Sequence, residues 1–303
     1  MGLESMTLYN YTLFWIIIFG LCLGSFYNVV ILRSLSDESI VYPPSKCPRC
    51  GHKLYWWHNI PVLSYILLKG KCYFCKEKIS IQYPIVEIFT AVAFSTVFVK
   101  YGFSIKTIFA LFIISCFIIM TVTDLKEKLV DCNIAIAVAV AGCLYHFITG
   151  GLYGLLVSLS ALLVGVLIIE GIARAGIYIA GTRAMGEADS YVAGALGAIY
   201  GTNILWVLAC TLGVSMLFIL PMFLYNKYRA GDKLTCISAV LFFLSVVVFR
   251  VVAQNYFTLA LLLITGVSLT ISVLKGIRQE ENRSYLPFVP ALMAGAVLFS
   301  LIN

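Results

Sequence analysis

Four cysteines and two aspartates are the residues in this chain best suited to do chemistry. CPRC at 47–50 and CYFC at 72–75 form two C-x-x-C pairs, with 21 residues between Cys50 and Cys72. Each pair supplies two soft thiolates, and two pairs complete the tetrahedral shell that zinc prefers. Paired C-x-x-C in a reducing compartment favours metal over disulfide, with redox-active thiols as the competing reading. We expect one structural zinc on Cys47, Cys50, Cys72 and Cys75. The other six cysteines lie in or beside apolar runs and read as small buried side chains.

Acidic residues are scarce, 14 in all, so their positions carry information. Glu87, Asp124, Glu127, Asp131, Glu170, Glu187 and Asp189 fall in or at the edges of apolar segments, where an ionisable group costs a few kcal/mol and is a functional candidate. Asp124 closes one segment (IIMTVTDLKEK) and Asp189 opens another (AMGEADSYVAGALG), with two segments between them. Both therefore return to the same membrane face. Asp189 suits a helix start as a cap. Asp124 sits at a helix end, where an anion opposes the macrodipole. Two adjacent carboxylates share a proton, so that one acts as base while the other acts as acid. Such a dyad activates water without metal or covalent nucleophile. Neither H-E-x-x-H nor G-x-S-x-G occurs, and the three histidines are His52 and His58 near the cysteines and His146 in an apolar run.

The elements that must carry these groups are membrane helices. Of the 303 residues 61% are hydrophobic and 12% charged, against roughly 25% charged in soluble domains. The excess falls into apolar runs of spanning length at 11–32, 84–99, 107–123, 132–149, 153–173, 189–201, 204–225, 234–249, 256–274 and 286–302. The expected architecture is an all-α polytopic membrane protein of about ten transmembrane helices with one small cytoplasmic zinc-knuckle loop. Its parts are a first helix at 11–33, the zinc module at 34–83 and a membrane domain at 84–303. No basic residue precedes the first run, so it reads as a retained span rather than a cleaved signal. With the N-terminus outside, 18 basic residues lie inside and 3 outside, as the positive-inside rule requires. The net charge of +7 thus serves orientation rather than nucleic-acid binding.

Six blocks in order resemble the type IV prepilin peptidases, the bacterial leader peptidase/N-methyltransferases. They are LGSFYNVVILR at 23–33, the double C-x-x-C module containing WWHNIPVLS, ISIQYPIVE at 79–87, TDLKEK at 123–128, MGEAD with ALGAIYG at 185–201, and YLPFVPALMAGA at 285–296. The resemblance implies an aspartic endopeptidase in the bacterial plasma membrane that cuts the basic leader from prepilins and pseudopilins after glycine. It assigns Asp124 and Asp189 to the catalytic positions and Cys47, Cys50, Cys72 and Cys75 to zinc. It also implies methylation of the new N-terminus with S-adenosylmethionine, although no Gly-rich nucleotide loop marks a cofactor site. The chain departs from the family pattern at Ala188, where glycine is usual, at Tyr191 in place of lysine, around Asp131-Cys132-Asn133, and at His58 in place of aspartate. Residues 230–280 look like an inserted pair of helices.

The lysines around the cysteines would repel a basic leader. They fit anionic membrane lipids, or an acidic residue early in mature pilins, or serve only to fix the topology. The alternative reading of the chain is an ion or solute transporter with a zinc-stabilised loop, although its acids gather at one face rather than marking a path across.

Overall fold

A computed structural model describes residues 3–302 except 37, 40, 43, 128, 181–185, 230, 232, 252–256, 258–259, 262, 267 and 269–287. The described chain is helical, with isolated bridges in place of strands. Two compact units divide it, Met1–Leu159 and Ser160–Asn303.

The first unit contains α1 (Leu3–Leu35), a short α2 (Leu63–Leu67), α3 (Gln82–Tyr101), α4 (Ile105–Glu127) and the start of α5 (Cys132–Ala180). At 1.5 Å per residue the 33 residues of α1 span about 50 Å, well beyond a hydrocarbon core of about 30 Å. α1 packs closely on α3 because Gly20 and Gly24 lie against the backbone at Ala91 and Glu87. A Cβ at Gly24 would come to 2.6 Å from the Glu87 Cα, so backbones approach here as they do between membrane helices generally. Tyr27, Ile31, Val86, Ile118 and Ile119 form the core where α1, α3 and α4 meet, and the Tyr27 hydroxyl donates to Ser115 Oγ at 2.6 Å. Outward-facing Phe14, Phe19, Phe89 and Val92 remain exposed, the pattern of a bundle solvated by lipid rather than water.

α5 is two helices joined at Gly151, whose φ of 60° and ψ of −150° break the helix. In one straight helix, Cys143 and Ser158 would stand about 22 Å apart. Instead the Ser158 hydroxyl reaches Cys143 Sγ at 3.4 Å, so the chain reverses between them. This hairpin matches the two runs expected at 132–149 and 153–173.

In the second unit the returning half of α5 packs on α6 (Glu187–Tyr200) through small residues. A Cβ at Gly197 would collide with the backbone of Ala161 and Leu162, so the interface admits only glycine there. Val192, Ala193, Ala195, Leu196 and Ala198 of α6 are fully buried. α7 (Ile204–Arg229) and the last helix (Val289–Ile302) close the unit, with the Tyr200 hydroxyl bonded to the Ala296 carbonyl at 3.0 Å. α8 (Lys233–Val251) begins the expected insertion, and Ser245 meets Thr265 at 2.8 Å, so its described part turns back on itself. Much of the expected span at 256–274 and the start of the one at 286–302 lie outside the described residues.

Among the described residues, five helices are long and apolar enough to cross a membrane. The chain is an all-α membrane protein; the count of ten spans is not fixed by them.

Candidate zinc centre and buried carboxylates

The four predicted cysteines come together. One ligand atom from each of Cys47, Cys50, Cys72 and Cys75 lies within 4.8 Å of all the others. Four sulfurs about 2.3 Å from a central zinc are about 3.8 Å apart, so the cluster fits a tetrahedral ion after a small contraction.

Local sequence explains the convergence. KCPRCGHK and KCYFCKEK fold as two copies of one turn. In the first, Lys46 pairs with Lys53, Cys47 N–H donates to the His52 carbonyl at 2.9 Å, and Gly51 N–H donates to the Cys47 carbonyl at 2.9 Å. In the second, Lys71 pairs with Lys78, Cys72 N–H donates to Glu77 at 2.8 Å, and Lys76 N–H donates to Cys72 at 3.1 Å. Both copies need a left-handed residue just after the second cysteine: Gly51 at φ 72° and Lys76 at φ 59°. Glycine accepts that conformation freely and lysine does not.

Without metal, the thiols divide a scarce negative charge. Cys72 is lowered to about 7, chiefly by the Cys75 backbone N–H pointing at its sulfur. Cys75 is pushed up to about 11: the Glu77 backbone N–H lowers it, but desolvation and the sulfurs of Cys72, Cys50 and Cys47 outweigh that. Such a set is suited to a divalent cation, which displaces the remaining protons.

An aromatic cluster braces the second knuckle. The His58 ring lies 3.8 Å from Trp57, 5.4 Å from Tyr73 and 5.9 Å from Phe74, and His52 stacks on Phe74 at 4.7 Å. His58 Nδ1 accepts the Tyr55 backbone N–H at 3.2 Å, which puts the neutral ring's proton on Nε2. That Nε2 is buried and has no hydrogen-bond partner among the described residues. Desolvation accordingly lowers the His58 pKa.

Of the seven carboxylates at segment edges, three are buried: Glu87, Asp124 and Asp189. Glu87 has a structural task that sequence reasoning missed. Its Oε2 accepts the Val62 backbone N–H at 2.7 Å, holding the residue that starts α2. Asp124, 5% exposed, lies in the last turn of α4. Asp189, 8% exposed, lies in the first turn of α6, where its Oδ2 accepts the Gly186 N–H at 2.9 Å. Gly186, not Asp189, is the N-cap; Asp189 lies three residues on and bonds back to it, an anion placed favourably at a helix start. Its neighbour Ser190 donates to Glu170 Oε2 at 3.1 Å, and Glu170 Oε1 pairs with Arg174 at 2.8 Å. Glu127, Asp131 and Glu187 are exposed. Asp124 belongs to the first unit and Asp189 to the second.

Comparison with known proteins supplies the family. Residues 18–101, from within α1 to the end of α3, match the Bacterial Peptidase A24 N-terminal domain. A prepilin leader peptidase/N-methyltransferase of Myxococcus xanthus is 35% identical over 61% of this chain and 55% of its own length. The protein of that name from Neisseria gonorrhoeae is 30% identical over 63% of this chain and 75% of its own. The Bacillus subtilis one is 29% identical over 93% and 90%. No solved structure matches the chain. The paired knuckles, the apolar helices around them and these alignments agree, and the chain belongs to the prepilin leader peptidase/N-methyltransferase family.

Proposed function

We propose that the protein is a membrane aspartic endopeptidase that removes the basic leader from prepilins or pseudopilins by cutting after glycine. The observation that carries this reading is the burial of Asp124 and Asp189 at helix ends. Buried carboxylates suit proton transfer, and a pair sharing one proton would direct water at a peptide carbonyl while protonating the leaving amine.

The reaction takes place at the cytoplasmic face of the bacterial plasma membrane, with the N-terminus outside. Cys47, Cys50, Cys72 and Cys75 hold one zinc whose shell is closed, so it folds the module and leaves no open position for catalysis. Methylation of the new N-terminal amine is a second activity of this reading, with S-adenosylmethionine as donor.

Incubating the reconstituted protein with a prepilin-like substrate and measuring the mass of the product's N-terminus tests both steps. Loss of the leader after glycine supports the peptidase, and a further methyl group supports the transferase. An unchanged substrate mass in the presence of zinc-loaded, folded protein overturns the reading.

A further inference from the structure

We infer that α2 is an interfacial element: Leu63, Ile66 and Leu67 enter the bilayer at the headgroup boundary, while Lys69, Lys71 and Lys76 hold anionic lipid headgroups. The proposal rests on α1 and α3 being membrane spans and not on the peptidase reading.

Sequence spacing puts Leu63, Ile66 and Leu67 on one face of α2, at i, i+3 and i+4. That face is uncovered, with the three side chains 57%, 62% and 72% exposed. Trp56, in the adjoining 3₁₀ turn, is 80% exposed. Such a patch next to a polar module marks an interaction surface rather than a core.

The depth of α2 follows from Glu87. α3 has 20 residues and so is about 30 Å long, matching the hydrocarbon thickness with little to spare. Glu87 lies five residues from the start of α3, about 8 Å along it. Its carboxylate holds the Val62 N–H at 2.7 Å, immediately before α2. The Asn28 amide of α1 likewise donates to the Tyr83 carbonyl at 3.2 Å, tying the same end of α3 to α1. The start of α2 is therefore held within about 8 Å of the end of α3, beside the boundary where acyl chains meet headgroups and within reach of a lipid surface.

Charge then selects the lipid. Lys69, Lys71 and Lys76 are exposed and line a shallow cleft of about 410 Å³ together with Leu67, Trp57 and Tyr73. Lys76 Nζ lies 5.2 Å from the Tyr73 ring centroid, and none of the three lysines forms an ion pair among the described residues. Apolar side chains beside unpaired lysines and aromatic rings are what an anionic membrane surface binds.

The test uses the full chain in nanodiscs, with Trp15, Trp57 and Trp206 replaced by Phe so that Trp56 is the single reporter. Zinc content verifies that the module has folded. In bilayers of 70% phosphatidylcholine and 30% phosphatidylglycerol, Trp56 emission should be blue-shifted and quenched by brominated acyl chains. Quenching should fall with Ile66→Glu plus Leu67→Glu. It should also fall in pure phosphatidylcholine and with Lys69, Lys71 and Lys76 all changed to Glu, as the docked to free ratio drops by about a hundredfold. Water-like, unquenched Trp56 emission in the anionic bilayer overturns the proposal. So does equal quenching in both lipids, or protection of Trp56 that arises only when a prepilin peptide is added.

Discussion

The carboxylate of Glu87 accepts the backbone N–H of Val62 at 2.7 Å, joining a membrane helix to the entry of a loop helix. Val62 is held at φ 59° and ψ −49°, a region that a β-branched residue avoids. The bond stabilises a backbone that local sequence disfavours. Glu87→Ala should therefore loosen residues 34–83 by about 1–3 kcal/mol, whereas Glu87→Gln, which keeps an acceptor, should cost less. Hydrogen exchange or limited proteolysis of the module reads the difference. Wild-type protection in Glu87→Ala would mean that the bond holds nothing.

The two knuckles predict opposite responses to glycine. Gly51→Ala places a Cβ at φ 72°, in open space but in the wrong backbone region, and should destabilise the module by about 1–2 kcal/mol. Lys76→Gly relieves the same strain and should stabilise it by up to about 1 kcal/mol, less the lost contact with Tyr73. Chelator-driven unfolding measures both.

Zinc uptake should release protons. Cys75, pushed up to about 11, is protonated at neutral pH and must become a thiolate to bind. At least one proton per zinc should therefore appear when metal-free protein is titrated at pH 7 in buffers of different ionisation enthalpy. Apparent affinity should weaken as pH falls. Binding without proton release would remove Cys75 from the ligand set.

His58 gives the module a separate acid sensitivity. Its folded pKa lies below that of the free side chain because charging a desolvated ring is unfavourable. The neutral ring's contribution is complete above the unfolded value, near about 6.5. It is lost as pH falls below that value toward the folded pKa, since the unfolded chain then binds more protons. At constant zinc loading, His58→Phe should flatten the decline in module stability between pH 7 and pH 5.5. Parallel profiles for the two proteins would contradict this.

What the sequence disclosed and what it hid follow from interaction range. The knuckles were readable because each C-x-x-C turn is local, and the break at Gly151 because two apolar runs meet there. The carboxylates at segment edges stood out, yet only the structure separates buried Glu87, Asp124 and Asp189 from exposed Glu127, Asp131 and Glu187. The Glu87–Val62 bond links positions 25 apart through an unfavourable backbone conformation, which no periodicity announces. Gly20 and Gly24 show their purpose only once α3 is seen lying against them. His58 reads as a departure from a family pattern, whereas its burial among Trp57, Tyr73 and Phe74 is tertiary.

The proposed peptidase depends most on Asp124 and Asp189 acting as one catalytic pair. The direct measurement is the rate of leader removal from a prepilin-like substrate by Asp124→Asn, Asp189→Asn, the double variant and the exposed control Glu187→Gln, all with verified zinc content. Each single variant should lose activity by about 10²–10⁴-fold. The double should be no worse, because groups that act as a unit are non-additive, and Glu187→Gln should stay near wild type. Near wild-type cleavage by either folded aspartate variant would contradict the account.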